Sequence, residues 1–357
     1  MSLPSHLWSL VKPRIVALLC LTGVSALFAA GGAPVPQVVG FVVAGALLAG
    51  AAAALNCWYD RDIDRHMERT ADRPLPSGDL SPRTAVAFAL SLLVAGTAVA
   101  LATLPPGAVG YMWLGVGAYV GLYTVLLKRR SRFGVVLGGS AGSFPVLAGW
   151  AAVRPLGPAA LLMATLVFVW TPAHAWALAY VYREDFASVG VPTLPAVASP
   201  ERTARAVWYA ALGTVAVAAA VVPFAGSVYA GSALAGSPCF LLAYRQYRRS
   251  RTEETAVRAF FTSNCYLGVL FLAWAADGLF PTASPAASVA AGLLVLATFA
   301  WMWTGRPSLR GVESAPVDWS DGRTGRYVSP LVTGIAFGLL AVAARLRRSS
   351  NRGEEPR

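Results

Sequence analysis

Nine stretches of this chain, at residues 15–30, 38–59, 85–104, 109–127, 133–153, 159–182, 206–224, 229–244 and 259–280, are apolar and almost free of charge. Each approaches the roughly 20 residues that a helix needs to cross a hydrocarbon layer. The pattern predicts an all-α fold, a polytopic membrane bundle of nine transmembrane helices around a central cavity. Two weaker segments follow, at 287–303 and 328–344. The composition agrees: 56% of the 357 residues are hydrophobic and 13% charged, with a mean hydropathy of +0.58, whereas soluble domains carry about 25% charged residues. Residues 1–285 are expected to form one intramembrane domain, 286–350 a C-terminal extension, and the polar 351–357 a disordered tail.

The charges orient the bundle. Basic residues precede the first apolar stretch (Lys12, Arg14), then return after the second (Arg61 to Arg83), the fourth (Lys128 to Arg132), the sixth (Arg183, Arg202, Arg205) and the eighth (Arg245 to Arg258). The intervening turns carry little beyond Arg154. By the positive-inside rule the N-terminus and these loops are cytoplasmic, in the plasma membrane of a prokaryote. The final arginines depart from that pattern if both weak segments span. Topology thus accounts for the net charge of +12, and no long aqueous stretch offers a nucleic-acid-binding module. No small-residue cleavage site follows the first stretch, which is expected to remain as a span. Four single cysteines (Cys20, Cys57, Cys239, Cys265) form no C-x-x-C pair.

Acids are scarce and placed. Before Glu201 they occur only as Asp60, Asp62, Asp64, Glu68, Asp72 and Asp79 after the second stretch, and as Glu184 and Asp185 after the sixth. Topology needs arginine there, not acid. Asn56, Asp60 and Asp64 are four apart, so on a continuing helix they stack along one face, with Asp62 turned elsewhere. Such hard oxygen ligands suit Mg²⁺, which takes one or two carboxylates plus substrate phosphates. Arg69, Arg73, Lys128, Arg129 and Arg130 crowd the same side. Acids for a metal and cations for phosphate oxygens describe a diphosphate site. No G-x-x-x-x-G-K-[ST] loop is present, so nucleotide hydrolysis lacks its signature.

These residues resemble a known family. N-x-x-x-D-x-x-x-D at 56–64, R-T-x-x-R-P-L at 69–75, "KPRIVALL" at 12–19, "LKRRSRFGVVLGGSAGSFPVLAGWAAV" at 127–153 and "WTPAHAWALAYVYREDFASVGVPTLP" at 170–195 are similar to the UbiA-type intramembrane prenyltransferases. Within that superfamily they look most like the branch that farnesylates heme, over roughly residues 10–280. The family's P-H-F-W reads Ala173-His174-Ala175-Trp176 here, and the second acidic motif is Tyr182-Arg183-Glu184-Asp185-Phe186 without a D-x-x-x-D spacing.

The resemblance implies Mg²⁺-dependent transfer of a farnesyl group from farnesyl diphosphate to a vinyl group of heme B. Asp60, Asp64 and Asp185 would be catalytic, and Asn56, Asp60, Asp64, Glu184 and Asp185 would ligate metal. Arg69, Arg73, Lys128, Arg129 and Arg130 would bind diphosphate. His174, the one histidine inside an expected span, would contact heme with Trp176 and Tyr182. Membrane lipids and downstream heme-modifying or oxidase-assembly proteins are the expected partners, with no nucleic acid. Two other readings stay open: a quinone precursor, chlorophyll-type ring or lipid alcohol as acceptor, or a cation-coupled transporter, which would need ionisable residues near mid-membrane.

Overall fold

Prolines and hydroxyl residues punctuate the chain. Pro13, Pro82, Pro106, Pro158, Pro200 and Pro285 each open a helix, where the missing N–H costs nothing and the fixed φ suits the first turn. Ser81, Ser199 and Thr252 cap three helices by accepting from Thr84, Arg202 and Thr255 backbone N–H groups, satisfying donors that would otherwise be orphaned.

The computed structural model describes residues 2–282 and 284–304. In order these form α1 (Leu3–Leu10), α2 (Pro13–Ala29), α3 (Val35–Asp64), α4 (Pro82–Thr103), α5 (Pro106–Gly117) running on as a π-helix (Ala118–Leu127), α6 (Gly134–Gly138), α7 (Ser140–Ala151), α8 (Pro158–Val181), the short α9 (Arg183–Ser188) and α10 (Leu194–Val197), α11 (Pro200–Val221), α12 (Ser227–Ser250), α13 (Glu253–Leu279) and α14 (Pro285–Trp303). Helices satisfy their own backbone, which hydrocarbon demands. Eight of these are long and apolar enough to span, and α1 with α2, bent by 46°, makes a ninth.

The membership of that set differs from the expectation in two places. The segment 229–244 lies in α12, which is not among the apolar spans; Ser232, Ser237, Pro238 and two tyrosines dilute its hydropathy. The weak segment at 287–303 is α14 and does qualify. The candidate span 328–344 and the tail 351–357 lie outside the described residues.

Helix α13 is the axis. It packs on α2, α8 and α12, and 72% of its span is buried, against 22% for α4 and 17% for α14 at the periphery. Around it run α3 against α4, α2 and α5 against α7, α7 against α8, and α8 against α11. The α2–α7 approach requires glycine, since a Cβ on Gly149 would overlap the Gly23 carbonyl. Gly138 likewise leaves room for the Tyr123 ring of the π-helix.

A candidate active site at one rim of the bundle

Helix α3 continues past its apolar stretch to Asp64, and this carries Asn56, Asp60 and Asp64 onto one buried face, at 6%, 1% and 4% exposure. A buried polar group must be paired, and here the pairing is complete for Asn56. Its amide nitrogen donates to Asp60 Oδ2 (2.7 Å) and Thr124 Oγ1 (3.2 Å). Its amide oxygen accepts from Lys12 Nζ (2.8 Å) and the Tyr119 hydroxyl (3.3 Å). An aspartate at 56 could not donate to Asp60 and would repel it.

Cations surround the two carboxylates. Lys128 Nζ lies 2.5 Å from Asp60 Oδ2 and Arg129 Nη2 3.4 Å from Oδ1. Arg73 Nη1 reaches Asp64 Oδ2 at 3.2 Å, and Thr70 Oγ1 donates to the Asp64 carbonyl. Asp62 does turn outward, into a two-bond fork with Arg129 (2.6 and 2.7 Å), while Arg130 is exposed. Burial pulls the Lys128 ammonium pKa down, but the neighbouring carboxylates, Asp60 first, leave it above the ordinary lysine value. It therefore stays charged at neutral pH.

Two backbone irregularities build this network. The π-helix, rare outside functional sites, closes Lys128 N–H onto the Tyr123 carbonyl five residues back, and from it Thr124 reaches Asn56 and Lys128 reaches Asp60. Lys12 sits in the left-handed region at φ 50°, directly before Pro13, a conformation that costs a non-glycine residue about 1–3 kcal/mol. The kink between α1 and α2 turns its side chain to Asn56.

The second acidic segment meets the first through Arg69, whose guanidinium lies 4.9 Å from the Tyr182 ring centroid and 6.0 Å from that of Phe186. Both segments thus occupy the same end of the bundle. Asp185 is half-buried. Glu184, 89% exposed, pairs with Arg183 at 3.3 Å and is turned to solvent.

The three expected acceptor residues do not share one wall. His174 is sandwiched between Trp170 (centroids 4.1 Å apart) and Phe260 (4.5 Å), with Nδ1 2.7 Å from Ser263 Oγ. Trp176, two residues on, is rotated about 200° around the helix and buried, its indole N–H unpartnered among the described residues. Tyr182 belongs instead with Arg69.

Sequence reasoning missed Lys12, Tyr119, Thr124 and Ser263 as parts of the site. For Ser263 a signal existed: Thr262-Ser263-Asn264 is a polar run inside an apolar helix, and such residues hydrogen-bond between membrane helices. For Lys12, the lysine-proline break between two helices was the clue.

As for a metal, Asp60 and Asp64 fit Mg²⁺, whereas the expected ligand Asn56 has its amide oxygen, the one atom it could offer, held by Lys12 and Tyr119, and its nitrogen turned to Asp60. The two carboxylates offer hard oxygens one turn apart on one buried face. That suits a cation which completes its shell with substrate phosphates and water.

A helical membrane bundle with a buried carboxylate ladder under a cluster of cations is the frame of an intramembrane prenyltransferase. Residues 16–265 match the UbiA prenyltransferase family, and the chain belongs to it. Relatives named protoheme IX farnesyltransferase include one from a Nocardioides species, 40% identical over 284 residues, covering 76% of this chain and 90% of that protein. Another, from Saccharopolyspora erythraea and named protoheme IX farnesyltransferase 1, is 40% identical over 275 residues, covering 75% and 88%. Among solved structures the fold is similar to a digeranylgeranylglyceryl phosphate synthase (TM-score 0.64, 15% identity, 77% of this chain and 98% of that one). It is also similar to a UbiA homolog from Archaeoglobus fulgidus bound to DMAPP and Mg²⁺ (TM-score 0.59, 20% identity, 81% and 99%).

Proposed function

We infer that this chain is a prenyltransferase that joins the farnesyl group of farnesyl diphosphate to a vinyl group of protoheme IX, giving heme O. The observation that carries the reading is the buried Asn56–Asp60–Asp64 ladder wrapped by Lys12, Lys128, Arg129 and Arg73, in a chain about 40% identical to protoheme IX farnesyltransferases over most of their length.

Asp60 and Asp64 would hold one Mg²⁺, with Asn56 orienting Asp60 rather than ligating, and Asp185, with or without Glu184, a second. Bound Mg²⁺ would stabilise negative charge on the departing diphosphate. Lys128, Arg129 and Arg73 neutralise the carboxylates before substrate arrives, and on binding they exchange carboxylate oxygens for diphosphate oxygens. Arg69, held over Tyr182, closes the same pocket, and Arg130 adds to its positive rim. Lys12 and Tyr119 keep the Asn56 amide aimed at Asp60 throughout.

Breaking the allylic C–O bond leaves a carbocation, which the apolar bundle shields from water. The vinyl carbon supplies the electron pair for the new C–C bond, and water then adds to the adjacent carbon and loses a proton. On the acceptor side, the Ser263 hydroxyl donates to the Phe260 carbonyl at 2.7 Å. Its hydrogen being committed there, His174 Nδ1–H donates to Ser263, and Nε2 keeps a lone pair for heme iron. By the positive-inside rule this rim faces the cytoplasm.

Incubating the purified protein with heme B, farnesyl diphosphate and Mg²⁺ and taking a mass spectrum of the extracted hemes tests the reading. Heme O is the expected product. Farnesyl transfer to a quinone precursor with heme B untouched would replace the acceptor.

A further inference from the structure

The arginines in the second half of the chain are not spread evenly around the rim. Arg205 on α11 and Arg248 and Arg251 at the end of α12 line a groove of about 440 Å³, together with Glu201 and the small Ala204. Three guanidinium groups share a single carboxylate there. Glu201 pairs with Arg251 at 3.5 Å, and among the described residues no ion pair forms at Arg205 or Arg248.

The groove is braced. Arg248 lies over the Trp208 ring at 5.6 Å. Arg251 takes a left-handed backbone conformation (φ 54°), with its N–H on the Tyr247 carbonyl and its own carbonyl accepting from the Tyr180 hydroxyl at 2.6 Å.

Just inside the groove the surface becomes apolar. Arg205, Tyr209 and Leu212 follow at spacings of four and three, so they share one face of α11. Tyr209 is 64% and Leu212 38% exposed. This face of α11 therefore presents a cation at the groove and exposed apolar side chains immediately below it. That is the order in which a phospholipid presents its phosphate and its acyl chains.

Topology explains arginines at this rim. It does not explain why three of them enclose a cavity with one acid, or why an indole lies under one of them. We propose that this groove binds the phosphate of an anionic membrane phospholipid, whose acyl chains run along Tyr209 and Leu212 on α11. Guanidinium forks match phosphate oxygens two at a time, and basic pockets between membrane helices select anionic headgroups. The site shares no residue with the Asn56 network, so it stands or falls apart from the catalytic reading.

Native mass spectrometry of the full-length protein in detergent, titrated with phosphatidylglycerol or phosphatidylcholine, provides the test. Retention of phosphatidylglycerol should exceed that of phosphatidylcholine by about tenfold. The combined variant Arg205→Gln, Arg248→Gln should lose that preference, whereas Arg83→Gln, at an exposed arginine outside the groove, should keep it. Leu212→Glu, which leaves every arginine in place, should weaken retention by disturbing the acyl strip. Equal retention of the two lipids, or an unchanged preference in the double glutamine variant, would overturn the proposal. Displacement of the lipid by millimolar inorganic phosphate would reassign the groove to free anions.

Discussion

Asp60 and Asp277 are both nearly buried carboxylates, at 1% and 9% exposure, near opposite ends of the bundle, and they are held in opposite ways. Asp277, near the end of α13, accepts from three backbone N–H groups, those of Gly226 (2.9 Å), Val228 (3.0 Å) and Tyr229 (2.9 Å). It caps α12 from a neighbouring helix, at the end where the dipole favours an anion. Those donors are part of the backbone and cannot leave without unwinding the helix. The partners of Asp60 are an amide and two long cationic side chains, which can swing to another anion. Burial alone does not mark a functional carboxylate; partners that can be released do.

Substitutions can break that distinction. Asp60→Ala or Asp64→Ala should lower turnover by about 10²–10³-fold or more, as losing a transition-state charge stabiliser does, while the protein remains monodisperse in detergent. Near-normal heme O formation in either would place Asp60 or Asp64 in the same class as Asp277. Lys12→Ala leaves the carboxylates intact and removes only the support of Asn56. A loss of about 10–100-fold is expected, as for groups that orient metal ligands, and this should appear as a higher Mg²⁺ requirement in activity titrations. His174→Ala should weaken heme binding about tenfold, a change near 1.4 kcal/mol, with prenyl diphosphate binding unaltered; an unchanged heme absorbance titration would return the ring to a packing role. Asp277→Ala should show the smallest catalytic effect. Its cost falls on stability, roughly 1.5–3 kcal/mol for charge-assisted hydrogen bonds lost, measured as a lower midpoint of thermal unfolding, with turnover near normal below it.

The same contrast explains what could be read in advance. Apolar length located the helices because a bilayer sets that length, and a period of four put Asn56, Asp60 and Asp64 on one face before any coordinates. Their partners were not legible. Lys12 looked like a topology charge, since nothing in spacing links it to a residue 44 positions away. Neither was the π-helix, because its sequence reads as an ordinary apolar span. The resemblance groups Trp176 and Tyr182 with His174; helical rotation separates Trp176 from it, and Tyr182 lies with Arg69. The apolar run of α12 reads as a span, although its polar side chains turn to neighbouring helices, Ser237 to Tyr266 on α13 and Tyr229 to the Ala218 carbonyl on α11.

The charge network also has an order of birth. Asp60 leaves the ribosome 68 residues ahead of Lys128, which at usual elongation speeds is roughly 3–14 s. During that interval α3 sits in the membrane with its acids at the water's edge and their lysine counterweight unmade. The nascent chain can neutralise them only with Lys12, Arg61 and the arginines of the following loop, so the rim settles in stages and is sealed when the fourth apolar stretch has been inserted.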